Sequence, residues 1–192
     1  MHHVFVDSNV LGSRTLYDWL FILRSQAEMY TLATTADVLD ETHRVWRRKH
    51  PTAGGDMRKR HDAHFRANFD DILDDWAGGE ALNIKDPDDQ HVHNAATHWH
   101  ADILLTMNIG DFGDPDELPY DLYTPDEFFC LVEGSAPFMV REATKFQNKY
   151  WQGRRDRGDT VKSLPDALKA AGCPKFAAIV AEHLRVPAGP TA

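Results

Sequence analysis

The sequence predicts an α/β fold with a central parallel sheet covered by helices on both faces. Two observations carry this. Short β-branched or apolar runs alternate with longer segments whose apolar residues recur at three and four, as strands and crossover helices do. The chain of 192 residues is also 42% hydrophobic, with five Trp and ten Phe, so it can bury a sizeable core.

Residues 2–6 (HHVFV) read as a first strand ending in the polar turn Asp7-Ser8-Asn9. Leu16, Trp19, Leu20, Leu23 and Ala27 mark a buried helix over 16–29. A second strand is expected at Tyr30 to Ala33, and a helix over 37–49 from Val38, Leu39, Thr42, Val45 and Trp46. After Pro51, Gly54 and Gly55, a polar helix is expected over 56–76, with Phe65, Phe69, Ile72, Leu73 and Trp76 on one face. Gly78-Gly79 precedes a short third strand at 81–84. Asp86-Pro87-Asp88-Asp89 has the form of a helix start, with an N-cap Asp, Pro at the first position and acids in the first turn. That helix carries Val92, Ala95, Ala96 and Trp99. Ile103 to Thr106 is a fourth strand, Asp111-Phe112-Gly113 a turn, Leu122-Tyr123 a last strand and 125–132 a helix. Composition then shifts, and 133–192 reads as a helical extension with a frayed tail at 187–192. The domain reading is therefore 1–132 for the core and 133–192 for the extension.

Composition narrows the function. Two isolated cysteines, Cys130 and Cys173, make neither a disulfide framework nor a zinc knuckle, so a reducing cytoplasm is expected. No apolar run of 18 residues and no secretory leader is seen, so no membrane association is expected. A net charge of -9 argues against coating nucleic acid by bulk charge and leaves local basic patches open. Four histidines, His91, His93, His98 and His100, lie in or near one helix, but none are paired at i, i+4 and there is no HExxH.

Four acids stand at equivalent chain positions: Asp7 after the first strand, Glu41 in the helix after the second, Asp89 at a helix start, and Asp111 after the fourth strand. Ligands of open parallel sheets bind beyond the carboxyl ends of the strands, where strand order reverses. Carboxylates crowded at that edge repel one another, and a hard divalent cation relieves the repulsion. Mg²⁺ or Mn²⁺ held there binds phosphate oxygens and activates a water. Each acid also has a plainer role. Asp7 suits a helix cap, Glu41 a solvated helix face, Asp89 a first helical turn, and Asn108 and Asp111 a turn. The argument rests on the four together.

The segments VFVDSNVL (Asp7), VLDETHRVW (Glu41), DPDDQHVHNAA (Asp89) and ADILLTMNIGDF (Asp111) resemble, in order and spacing, those of PIN-domain proteins, and among them the VapC-like toxins of type II toxin–antitoxin systems. The resemblance spans about residues 2–130. It implies a three-layer α/β/α fold and a Mg²⁺- or Mn²⁺-dependent endoribonuclease, a hydrolase of RNA phosphodiester bonds. It places catalytic and metal-binding roles on Asp7, Glu41, Asp89 and Asp111, with Ser8, Asn9, Thr106 and Asn108 as polar residues flanking the site. It further implies a cognate antitoxin and a homodimer. The chain departs from the pattern at Asn108, where many relatives carry an acid, and at His93 and Asn94, where small residues are usual. The extension is also longer than in a minimal PIN domain.

An acidic site must still attract RNA. Eight bases fall within 23 residues from Arg44 to Arg66, and Arg44, Arg47, Arg48 and Lys49 share the helix of Glu41. They are candidates for phosphate contact, against the plainer reading of a solvated basic face. The competing functions are a metal-dependent nuclease acting on DNA or structured RNA outside a toxin–antitoxin system, and a catalytically degenerate binding module.

Overall fold

Three consecutive buried residues, Val4, Phe5 and Val6, end the first strand, β1 (His2–Val6). A strand buried on both faces belongs inside a parallel sheet. The computed structural model describes residues 1–76, 84 and 87–185, and places β1 at the centre of a five-stranded, all-parallel sheet. The other strands are β2 (Tyr30–Thr35), β3 (Asp71–Leu73), β4 (Ile103–Leu105) and β5 (Asp121–Tyr123), in the order β3-β2-β1-β4-β5. This is the α/β/α class expected, with helices C-terminal to it. The chain leaves β1 toward β2 and β3, then returns to β4 on the other side, so strand order reverses between β1 and β4. Val4, Phe5 and Val6 pair in register with Ile103, Leu104 and Leu105. The next residues, Asp7 and Thr106, therefore face each other at the switch point.

The described residues form two compact units. The first comprises Met1–Arg14 and Met29–Thr124. It holds the sheet, a one-turn helix α1 (Ser8–Leu11), α3 (Ala36–Lys49), α4 (Gly55–Asn68) and α5 (Gln90–His98). Thr35 ends β2 and caps α3, its Oγ1 accepting from Val38 N at 3.1 Å. Val38, Leu39, Thr42 and His43 form the buried stripe of α3, while Asp40 is exposed and Glu41 half-buried. Lys49 Nζ donates to the carbonyl of Gly12 at 2.8 Å, tying the last turn of α3 to the end of α1.

The second unit comprises Thr15–Glu28 and the chain from Pro125 onward. Its helices are α2 (Arg14–Ala27), α6 (Pro125–Ser135), α7 (Pro137–Asp156), α8 (Leu164–Ala170) and α9 (Pro174–Arg185). Phe176 of α9 lies edge-on to Trp19 of α2 and tilted against Phe129 of α6, both at 5.1 Å between ring centroids. The buried Asp126 carboxylate accepts from Phe176 N at 2.8 Å and Lys175 N at 3.2 Å, satisfying the first free N–H groups of α9.

Two element expectations are corrected. The helix expected over 56–76 ends at Asn68, and Ile72 and Leu73 belong to β3. Asp70 causes the break: its carboxylate accepts from Leu32 N at 2.8 Å while its own N–H donates to Leu32 O at 2.9 Å, which locks the chain beside β2. Pro87–Asp89 forms a 3₁₀ turn, and the regular helix starts only at Gln90. The strand expected at 81–84 and the caps expected at Asp86 lie largely outside the described residues, as does the tail at 187–192.

Candidate functional site

Asp7 is 3% exposed and caps α1, its Oδ1 accepting from Ser8 N at 2.5 Å. Its Oδ2 accepts the Thr106 hydroxyl proton at 2.8 Å. Thr106 is itself fully buried, and its oxygen accepts from Asn9 Nδ2 at 3.0 Å and Asn108 N at 3.1 Å. A hydroxyl has one proton and two lone pairs. All three are engaged here, so the proton is committed to Asp7. Asn9 Oδ1 then accepts from Met107 N at 3.0 Å, and Asp7 N donates to Leu105 O at 3.1 Å. The side chains of Asp7, Asn9 and Thr106 thus bolt the end of β1 to the end of β4. Sequence reasoning placed Ser8, Asn9, Thr106 and Asn108 beside the site; the structure adds that Asn9 and Thr106 form this bridge.

Burial pushes the Asp7 carboxyl above its usual range, with hydrogen bonds from Thr106 and Ser8 opposing the shift. The negative charge of Glu41 pushes it up further, so these two carboxylates lie within electrostatic reach of each other. Glu41 also stands 3.6 Å from His91 Nε2. Asp89 is half-buried at the cap position of α5, where its side chain makes no capping bond. Asp111 is half-buried in the 3₁₀ turn Ile109–Phe112, its N–H donating to Asn108 O at 3.0 Å. Asn108 is exposed. Among the described residues, no three His, Cys, Asp or Glu side chains converge closely enough to form a metal cage.

That arrangement still fits Mg²⁺. The ion keeps several of its waters and is usually held by one or two carboxylates together with substrate phosphate. Asp7 and Glu41 are two such carboxylates, the first buried and opposed by the charge of the second. A divalent cation beside them removes both penalties.

On the same unit, a cleft of about 490 Å³ opens between α3 and α4, lined by Asp40, His43, Arg44, Arg47, Arg48 and Arg58. Three of the four basic residues singled out on α3 line it, and Arg58 joins them from α4. Lys49 is turned to Gly12 instead. Arg47 donates to Ala53 O at 2.6 Å and Arg44 to Asp40 O at 3.4 Å, so both guanidiniums are partly oriented by backbone.

Comparison with known proteins agrees with this layout. The model of the PIN domain family matches residues 3–110, more than half of the chain. The chain belongs to the PIN domain family. PIN domains are in general nucleases, hydrolases that work with divalent metal. No curated protein and no solved structure matches the chain. No helix of the described residues is long and apolar enough to cross a membrane.

Proposed function

We propose that this protein is a Mg²⁺- or Mn²⁺-dependent endoribonuclease, acting in the cytoplasm as the toxin of a type II toxin–antitoxin pair. The observation that carries the reading is Asp7, a buried carboxylate fixed at the switch point of a PIN-domain sheet and opposed by the charge of Glu41. Folds keep such a group where a cation uses it, because an isolated buried charge is costly.

Asp7 and Glu41 hold the metal, and Asp89 and Asp111 complete the acidic rim that receives it. The bound cation supplies Lewis-acid stabilisation of the phosphate charge and a nucleophilic water at neutral pH. Thr106 keeps the Asp7 carboxylate in one orientation, and Asn9 keeps Thr106 in place. Arg44, Arg47, Arg48 and Arg58 bind the phosphates of the RNA strand, and Lys49 adds positive charge at the end of α3. Phosphate contacts of this kind position the strand without reading its sequence. An antitoxin blocks the site most simply by inserting a cationic side chain among the carboxylates, and a second copy of the chain is the further partner.

The test is cleavage of single-stranded RNA and of DNA with Mg²⁺ or Mn²⁺, comparing wild type with Asp7→Asn and Asp89→Asn. RNA cleavage that needs metal and disappears in both variants supports the reading. Cleavage that survives chelation, or cleavage of DNA alone, overturns it. A second reading, a binding module without catalysis, is favoured by the exposed Asn108 where an acid is usual. Metal-independent RNA binding with no cleavage under any ion would establish that instead.

A further inference from the structure

α7 buries Val140, Ala143, Thr144 and Gln147, and its opposite side faces solvent. On that side Phe138 is 67% exposed, Phe146 62% and Tyr150 46%. Large aromatic side chains exposed in one row mark an interaction surface. At 3.6 residues per turn, Phe138, Glu142, Phe146, Lys149 and Gly153 fall within about 80° of arc and run about 22 Å along the helix. α7 lies outside the matched segment 3–110, so the family supplies no account of this face.

Gly153 has no explanation within its own chain. It sits in the last turn of α7 without a left-handed backbone, although glycine is a poor helix former. Apart from its own helix, a Cβ placed there would meet only the tip of the Arg157 side chain, at 3.6 Å. Beside it a groove of about 550 Å³ runs between α7 and α9, lined in part by Lys145, Lys149, Gly153 and Leu184.

The charges decide the occupant. Lys145 is engaged with Glu142 at 2.7 Å, Arg154 with Asp159 at 2.8 Å and Arg155 with Gln152 at 2.9 Å. Such a face is not the bare cationic track that a nucleic-acid strand follows. It is self-complementary instead. When α7 pairs antiparallel with α7 of a second copy, about a two-fold axis between Lys145 and Phe146, each Glu142 comes opposite Lys149 of the other copy. Each Phe138 comes opposite Gly153 of the other copy, and the two Phe146 rings meet near the axis. Aromatic bulk thus opposes the one glycine of α7, and a two-fold interface makes every such contact twice.

We infer that the exposed face of α7, with the groove beside it, is the surface through which two copies of this chain associate. Phe138 of each copy seats over Gly153 of the other, and Glu142 and Lys149 fix the register. This goes beyond the nuclease reading and does not depend on it, because mass is read whether or not RNA is cleaved.

The experiment is sedimentation equilibrium of the full chain over a concentration series. It compares wild type with Phe146→Glu, Gly153→Leu, Glu142→Lys, Lys149→Glu and the double reversal Glu142→Lys/Lys149→Glu. Wild type is expected to reach twice the chain mass of 21.8 kDa at or below about 100 μM. Phe146→Glu weakens the dimer about a hundredfold. Each single charge reversal weakens it about tenfold, and the double reversal returns it to within about threefold of wild type. Gly153→Leu favours the helix itself, yet weakens the dimer by filling the seat of Phe138. Rescue by the double reversal reads a contact between copies, which a variant that merely folds poorly does not give. A wild type that stays monomeric at about 100 μM overturns the inference, and so does a dimer indifferent to all five variants. A monomer whose RNA affinity falls in Phe146→Glu also overturns it, and makes the face a nucleic-acid surface instead.

Discussion

At Asp7, burial and the proposed metal-binding role pull in opposite directions. Its carboxyl has an ordinary value of 3.8 and is raised in the folded chain, first by burial. The folded state therefore holds this proton more tightly than the unfolded state. The associated stability is complete below pH 3.8 and is lost as pH rises through the raised value. At neutral pH the buried carboxylate works against the fold. Asp7→Asn is accordingly expected to raise the melting temperature at pH 7, with the gain shrinking toward zero near pH 3.8, while RNA cleavage is abolished. Melting curves over a pH series check this, and an unchanged or lower melting temperature at pH 7 would count against the burial argument. Added Mg²⁺ should stabilise wild type by mass action and leave Asp7→Asn unmoved. Thr106→Val removes the hydroxyl proton that Thr106 gives to Asp7 Oδ2 and leaves Asn9 Nδ2 and Asn108 N without this acceptor. We expect a loss of about 1–3 kcal/mol in denaturant unfolding, typical of buried polar groups left unsatisfied.

At the scale of elements, aromatic and imidazole rings pack α4 against α3. His61 stacks on Trp46 at 4.9 Å and meets Phe65 edge-on at 4.8 Å, with His43 at 5.5 Å. Burial, then the neighbouring histidines, lower His61 to about 4, and burial chiefly lowers His43. Both rings are thus neutral in the fold near pH 7. A lowered folded value means stability present above 6.5 and lost as pH falls toward about 4. Acidification between those limits should loosen α4, raising amide exchange over Gly55–Asn68 ahead of the sheet, and His61→Phe should blunt the effect. In the second unit, Asp126 caps α9 from α6 through two backbone N–H groups. Asp126→Ala should destabilise by about 1–2 kcal/mol, as cap losses do, or more because this cap is buried. Thermal melting with amide exchange over α9 measures it.

For the whole chain, net charge and local charge point in opposite directions. The chain carries -9, yet one cleft gathers four arginines against a single aspartate. On the proposed function, bulk repulsion of RNA is overcome locally at this cleft, so binding should weaken steeply with salt. Arg48→Ala and Arg58→Ala should each lower RNA affinity across sequences and reduce the salt slope by about one. Fluorescence anisotropy over a salt series reads both quantities. Equal slopes in wild type and both variants would remove the cleft from the RNA path.

The sequence by itself determined the fold class, because strands buried on both faces read as unbroken apolar runs such as Val4-Phe5-Val6 and Ile103-Leu104-Leu105. It also singled out Asp7, Glu41, Asp89 and Asp111, because residues just after parallel strands and at the following helices share one edge whatever the details. It read the strand at Asp71–Leu73 as helix, since Ile72 and Leu73 continue the helical spacing of Phe65 and Phe69. The pairing of Asp70 with Leu32, and of Asp71–Leu73 with β2, takes the chain out of that helix. Nothing in the local pattern marks His91 as a neighbour of Glu41, or Asn9 as the partner of Thr106, residues 50 and 97 positions apart. Such contacts are decided by strand register and by where each crossover lands, which are properties of the assembled sheet. Local periodicity sets which residues reach the carboxyl edge of the sheet, and tertiary structure decides which of them meet there.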